Sequence, residues 1–170
     1  MAEFPDRKFE DGESFPYLGE EHEIVYSDIE KTEVKNGEIR LPREDIKNSS
    51  ADSVLEDFLR ERAREKIHEV IENYIDRITG TYSKVYIRNQ KTRWGSCSSK
   101  RNLSFNFRLI MAPPEVLEYV VVHELVHLDG YWHSRGFDRR ISELLPEYKE
   151  SKEWLEENKK KLVFRLEDLF

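Results

Sequence analysis

The strongest constraint on the fold is the mainly apolar stretch 113–128, which contains a polar triplet in its second half. Pro113-Pro114 marks a helix start, and the valines and leucines that follow cover nearly every face of the helix. This pattern predicts a buried helix. Inside it stand His123, Glu124 and His127. Burial of imidazoles and a carboxylate without partners is costly, so these residues require a chemical explanation.

Metal binding explains the spacing of these residues. Histidines four residues apart lie on one face of an α-helix, so His123 and His127 can bind one ion, while Glu124 is offset towards a metal-bound water. Gly130 can end the helix in the left-handed conformation, which would let His133 turn back towards the pair. Three imidazoles and one water form an open zinc site of the kind that hydrolases use. We therefore predict one Zn²⁺ per chain held by His123, His127 and His133, with Glu124 as the general base.

Hydrolysis also requires a donor for the oxyanion of the transition state. Three residues of suitable type are predicted to bind substrate: Arg93, Asn106 and Tyr131. A carboxylate can further orient a ligand histidine. Three residues are candidates for that role: Asp129, Asp138 and Glu143.

Strand-like segments and then a long helix are predicted before this site. An Asn-Gly turn between Val34 and Ile39 predicts a β-hairpin. A capping box formed by Ser53 and Glu56 predicts the start of an amphipathic helix of about 26 residues, which ends before Gly80.

A small sheet and two C-terminal helices complete the prediction. Residues 82–110 alternate between apolar and polar, which indicates a half-buried sheet with residues 95–99 as a turn or bulge. Charged, leucine-bearing segments at 134–145 and 146–161 predict two further helices.

Composition bounds the class of protein. The chain has 170 residues, of which 38% are hydrophobic, and this is enough to build a core. We predict a β-rich appendage at 1–50 and the catalytic domain at 51–170. No apolar run is long enough to span a membrane, and the first residues do not resemble a secretory signal. Cys97 is the only cysteine, which favours a reducing cytoplasm.

The charge distribution is uneven. The formal net charge is -7, yet residues 77–114 contain no Asp or Glu and eight Lys and Arg residues. Such a segment is either a solvated surface or a local positive field that attracts a carboxylate, a phosphate or nucleic acid.

Several motifs together resemble the YgjP-like family of small metal-dependent hydrolases, which is related to SprT-like and minimal gluzincin metallopeptidases. The motifs are Thr92-Arg93-Trp94-Gly95-Ser96-Cys97, Asn102-Leu103-Ser104-Phe105-Asn106, Leu109-Ile110-Met111-Ala112-Pro113-Pro114, His123-Glu124-Leu125-Val126-His127, His133-Ser134 and Pro146-Glu147-Tyr148.

The resemblance implies an α+β fold with a zincin-like metallopeptidase core. Its parts are a small mixed sheet, a long N-terminal helix, the His-Glu-x-x-His helix and C-terminal helices. In related peptidases an edge strand, here within residues 88–99, pairs with an extended peptide. Gluzincins use a glutamate as third ligand, which keeps Glu143 and Glu147 as alternatives to His133.

We therefore predict a zinc-dependent hydrolase, namely a cytoplasmic metallopeptidase in which Glu124 activates a zinc-bound water to cleave a peptide or protein. Two alternatives follow from the basic segment: a metal-dependent nucleoside triphosphate pyrophosphohydrolase, and a nucleic-acid-associated SprT-like protease. No membrane partner is predicted, and the oligomeric state is left open.

Overall fold

Two small mixed sheets and five α-helices form the described part of the chain, residues 4–132 and 135–169 of this computed structural model. The first sheet contains β1 (Ser14–Tyr17), β2 (Glu20–Ser27), β3 (Glu33–Lys35) and β4 (Glu38–Pro42) in the order β1-β2-β4-β3. Strands β2 and β4 are parallel and the other neighbours are antiparallel.

The predicted β-hairpin is confirmed. Val34 pairs with Ile39, and the turn residues Asn36 and Gly37 both have positive φ angles, 53° and 77°. Two consecutive positive φ angles match the right-handed twist of a two-residue hairpin, and Asn-Gly adopts them at little cost.

Helix α1 spans Arg43–Asn48, and the long predicted helix is α2, Ala51–Tyr74. The predicted capping box is wrong. The N-cap is Ser50, whose side chain accepts a hydrogen bond from the backbone N–H of Ser53. The Glu56 carboxylate is bound by Arg60 and by Arg165 from the C-terminal segment, so it does not turn back to the helix end.

The second sheet contains β5 (Val85–Arg88), β6 (Gly95–Cys97) and β7 (Leu103–Asn106) in the order β5-β7-β6. Its central strand is buried along its whole length, so the prediction of a half-buried sheet is wrong for β7. The sequence predicts a turn or bulge at 95–99, but residues 95–97 form a strand, because they pair antiparallel with β7. After Asn106 the chain enters a 3-10 turn, Phe107–Met111.

Helix α3 spans Pro114–Leu128, as the apolar pattern predicts, with Pro114 in its first turn. Helices α4 (Arg135–Leu144) and α5 (Tyr148–Asn158) follow and confirm the two C-terminal helices. The predicted α+β fold is therefore confirmed. None of the described helices has the length and apolarity to cross a bilayer.

The first sheet is attached directly to the segment that leads into α3. The backbone N–H of Leu18 donates to the carbonyl of Ile110, and that of Gly19 donates to Met111, at 2.9 and 3.0 Å. The described residues share one hydrophobic core that includes Phe15 of β1 and Phe107. The division into 1–50 and 51–170 stays a prediction.

Candidate metal centre and active site

Helix α3 brings His123, Glu124 and His127 together. The imidazole nitrogens of His123 and His127 and the carboxylate oxygens of Glu124 include atoms that all lie within 4.8 Å of one another. The two rings stand one helical turn apart, with centroids separated by 5.2 Å. Among the described residues, His123, Glu124 and His127 form the group of at least three side chains that could hold a metal ion.

The His127 ring is held in a defined orientation. Its Nδ1 lies 2.9 Å from the carbonyl oxygen of Tyr131, which can only accept a hydrogen bond, so Nδ1 carries the hydrogen. In the neutral ring, Nε2 then carries a lone pair. This nitrogen is on the Glu124 side, 3.9 Å from Oε1. Trp132 stacks on the same ring at 4.6 Å between centroids. The arrangement presents Nε2 as a metal ligand.

Gly130 positions the Tyr131 carbonyl. Its φ angle is +90°, a conformation that favours glycine, and it reverses the chain directly after α3. The N–H of Gly130 donates to the carbonyl of His127, and the N–H of Tyr131 donates to the carbonyl of Val126. The predicted role of Gly130 in turning the chain is therefore confirmed. His133 lies outside the described residues.

His123 is half-buried beside aromatic rings. Its ring centroid is 4.8 Å from that of Phe137 on α4 and 5.9 Å from that of Tyr119, one turn earlier on α3. Burial raises the pKa of Tyr119 to about 12, with smaller contributions from Tyr148 and Glu124. Its hydroxyl therefore stays protonated at neutral pH and is a hydrogen-bond donor that sequence analysis missed. The spacing of four residues from His123 is the signal that points to it.

Glu124 is buried, with only 5% of its surface exposed. Burial raises its pKa to about 8, although the positive charge of Arg93 offsets part of this effect. A carboxyl group in this range can accept and return a proton near neutral pH, which suits a general base.

Gly95 of β6 makes room for the Glu124 side chain. A Cβ atom at this position would lie 3.1 Å from Cγ and 3.2 Å from Oε2 of Glu124, and 3.2 Å from the Phe105 ring. Contacts this short require the carboxylate or the strand to move.

We expect Gly95→Ala to lower kcat/KM for peptide cleavage by roughly ten- to a hundredfold, because a displaced carboxylate loses its alignment with the substrate. Kinetics on a fluorogenic peptide would measure the effect, with metal content and melting temperature recorded in parallel. Ser96→Ala, at the next position of β6, is the matched control. An unchanged kcat/KM in Gly95→Ala would show that the close contact has no functional role.

The remaining predicted site residues differ in their placement. Arg93 is exposed, and its charge acts on Glu124. The Tyr131 ring is 38% exposed, and its backbone oxygen is the group that meets His127. Two of the candidate carboxylates, Asp129 and Glu143, bind Arg140. The partner of His127 Nδ1 is the Tyr131 carbonyl, and an orienting role for Asp138 stays a prediction.

Asn106 is placed differently from the prediction. It is fully buried, and its amide nitrogen donates to the carbonyls of Gln90 and Arg93 at 2.8 and 3.1 Å. Its Oδ1 accepts from the backbone and the side chain of Arg108. An amide whose two N–H groups are used in this way cannot donate to an oxyanion. Asn106 instead holds the segment that leads into β6.

Neither proposed glutamate alternative joins the metal-binding group. Glu143 forms an ion pair with Arg140 at 3.2 Å, and Glu147 is an exposed residue at the start of α5. The described residues that could share one ion are thus His123, Glu124 and His127.

A cavity of about 220 Å³ opens beside His123 and Glu124, between α3, α5 and β6. Its walls combine aromatic and aliphatic side chains with two residues of opposite charge: Trp94, Tyr119, Leu155, Lys152 and Glu156. The contribution of α5 could not be predicted, because nothing in its sequence links it to the histidines. The cavity is a concave space of the kind that receives a ligand side chain.

Strand β6 forms one edge of the second sheet, next to Glu124. The N–H of Asn106 donates to the carbonyl of Trp94, so in the antiparallel alternation the backbone groups of Trp94 and Ser96 face β7. The backbone groups of Gly95 and Cys97 therefore point away from β7, towards the open edge. An extended peptide could pair with them.

A histidine pair on one buried helix turn, with a glutamate beside it, is typical of metal-dependent peptidases. The comparison with known families agrees with this class. Residues 1–158 match the family described as YgjP-like, metallopeptidase domain, so the chain belongs to the YgjP-like family. The resemblance noted in the sequence is thus confirmed, and the chain carries a metallopeptidase domain.

The chain is also similar to a solved structure. It is the crystal structure of the metallopeptidase zymogen of Methanocaldococcus jannaschii, jannalysin, with 21% sequence identity and a TM-score of 0.46. The similarity covers 59% of this chain and 90% of the other. No curated protein matches the sequence at a significant level.

The family assignment bears on the substrate. A metallopeptidase acts on peptides or proteins, and the comparisons give no support to a nucleotide or nucleic-acid partner. The pyrophosphohydrolase and the nucleic-acid-associated protease therefore stay predictions without support from the comparisons.

Proposed function

We propose that this protein is a zinc-dependent metallopeptidase in which Glu124 is the general base and His123, His127 and His133 hold the metal. The observation that carries the proposal is the meeting of two imidazoles and one carboxylate within 4.8 Å on a buried helix. The residues present fit the ion, because imidazole nitrogen is a preferred zinc ligand and the His127–Tyr131 contact fixes a neutral tautomer. A third ligand such as His133 would leave one position open for chemistry.

When bound there, zinc supplies Lewis acidity, which lowers the pKa of a water molecule and polarises a carbonyl group. Glu124 takes the proton of the attacking water on a carboxylate oxygen and returns it to the amine that leaves. Its burial keeps bulk water from competing for that proton. Gly95 supports this role, because the absence of a side chain there admits the carboxylate.

The substrate is proposed to lie along β6 as an added strand. The outward backbone groups of Gly95 and Cys97 would form its hydrogen bonds, while one substrate side chain enters the cavity of about 220 Å³ next to His123. Arg93 and Tyr131 stay proposals as substrate-binding residues. The exposure of Arg93 near Glu124 supports a role in stabilising the oxyanion.

Metal removal tests the proposal. We expect about one zinc ion per chain by elemental analysis, loss of cleavage of a casein-derived fluorogenic peptide after chelation, and recovery on addition of zinc. The same preparations should release no diphosphate from nucleoside triphosphates. Full peptide cleavage by the demetallated protein would refute a zinc mechanism.

A further inference from the structure

A second cavity also has Trp94 in its wall, and none of the metal-binding residues lines it. It has a volume of about 320 Å³, and Trp94 lines both it and the smaller cavity beside His123. The described residues that line it include no Asp or Glu and five basic residues: Lys91, Arg93, Arg108, Lys159 and Lys160. The two cavities therefore meet at the residue that precedes β6.

Arg108 is the least exposed of these cations, at 5%. Its guanidinium donates to Asn106 Oδ1 and to the carbonyls of Leu162 and Gln90, and it lies 4.9 Å from the Trp94 ring. All of these acceptors are neutral. Within the described ranges, Arg108 forms no ion pair. Burial lowers the pKa of its guanidinium, and the negative charge of Asp168 offsets part of this effect from a longer distance.

The other cations add to the same field. Lys91 and Arg93 are exposed, and Lys160 Nζ lies over the Phe4 ring at 5.3 Å. The Nζ of Lys159 lies 3.7 Å from Oε2 of Glu156. Both side chains are exposed, so the attraction between them is weak. The whole chain carries a formal charge of -7, so most of its surface repels acidic ligands and this cavity attracts them.

The position of the cavity next to β6 indicates that it binds part of the substrate. Arg93 and Trp94 lead directly into β6, where the proposed substrate strand lies. A peptide that continues past Trp94 carries its own side chains or its terminus into the basic cavity. A carboxylate there would pair with arginine and lysine donors in a partly enclosed space.

We propose that the cavity formed by Lys91, Arg93, Arg108, Lys159 and Lys160 is a substrate-binding site for a peptide carboxylate, so that the enzyme selects peptides with an acidic residue beyond the cleavage site. This inference rests on the proposed peptidase function. The carboxylate belongs either to an Asp or Glu side chain or to the peptide C-terminus, and the test separates these two sources.

Binding to inactive, zinc-loaded Glu124→Gln protein tests the site without turnover. Three fluorescein-labelled peptides of one sequence are compared: one with two adjacent Glu residues and an amidated C-terminus, one with Gln at both positions and an amidated C-terminus, and the Gln peptide with a free C-terminus. We expect the Glu peptide, the free C-terminus peptide or both to bind more tightly than the amidated Gln peptide. We also expect the preference to weaken at high salt.

A double variant assigns the preference to the cavity. In Lys91→Gln/Lys160→Gln, the Kd of the preferred peptide should rise roughly five- to tenfold, and that of the amidated Gln peptide less than twofold. Lys84→Gln/Lys149→Gln removes the same charge elsewhere on the surface and should keep the preference. Equal binding of all three peptides, or a preference that survives in the first double variant, would overturn the site.

Cleavage of the same peptides by wild-type protein separates this inference from the peptidase function. Cleavage with no charge preference would overturn the site and leave the peptidase intact. Charge-dependent binding that Lys91→Gln/Lys160→Gln weakens, without cleavage of any peptide, would support the site and count against the peptidase.

Discussion

Replacement of Glu124 by glutamine is expected to lower kcat for peptide cleavage by about two to four orders of magnitude while zinc stays bound. Glutamine keeps the shape of the side chain but cannot take up a proton at neutral pH. The residue is buried against Gly95, so an isosteric change preserves the packing that a smaller residue would lose. The melting temperature should therefore change little.

The comparison requires kinetics, metal analysis and a thermal melt on the same preparations. Glu115→Gln is the matched control, because Glu115 is an exposed residue in the first turn of the same helix. It should keep the wild-type kcat. A Glu124→Gln enzyme with full activity would remove Glu124 as the base and require another proton acceptor.

Replacement of His127 by alanine is expected to weaken zinc binding by roughly a hundredfold or more and to abolish peptide cleavage. The substitution removes Nε2 from the metal-binding group and leaves the Tyr131 carbonyl without its donor. The ring also packs against Trp132 and Phe137, so some stability should be lost as well.

Two further variants separate metal binding from packing. His127→Gln fills more of the space left by the ring, and it should still lose zinc affinity. His68→Ala changes a half-buried histidine on α2, far from α3 in sequence, and should keep both zinc and activity. Zinc titration with a competing chelator measures the affinities, and a wild-type affinity in His127→Ala would contradict the proposed ligand set.

Features that depend on residues close together in the sequence could be predicted. Pro114 and a continuous apolar run specify α3, and the Asn-Gly pair specifies the β3–β4 turn. The relation between His123, Glu124 and His127 follows from helical periodicity alone, so their meeting could be predicted without the structure.

Features that depend on residues distant in the sequence could not be predicted. Arg165, more than a hundred positions away in the sequence, binds the Glu56 carboxylate, which therefore takes no part in the helix cap at Ser50. Strand β6 has no apolar alternation and forms because β7 pairs with it. The side chain of Asn106 accepts a bond from the N–H of Arg108, which ends β7 and begins a 3-10 turn.

The same limit applies to the site. Lys152 and Glu156 reach the cavity beside His123 only because α5 packs near α3. The sequence suggests a carboxylate as the group that orients His127, but the partner is a backbone oxygen. Every residue type has such an oxygen, so the residue types in the sequence do not reveal it.

That backbone oxygen has an evolutionary consequence. Any amino acid at position 131 supplies the same acceptor, so a substitution there leaves the tautomer of His127 unchanged, whatever its effect on the proposed substrate contact of the Tyr131 side chain. The number of residues between His127 and position 131 is much more strictly constrained. One residue gained or lost between His127 and Gly130 would move the accepting carbonyl away from Nδ1, so related enzymes should tolerate substitutions in this segment far better than a change in its length.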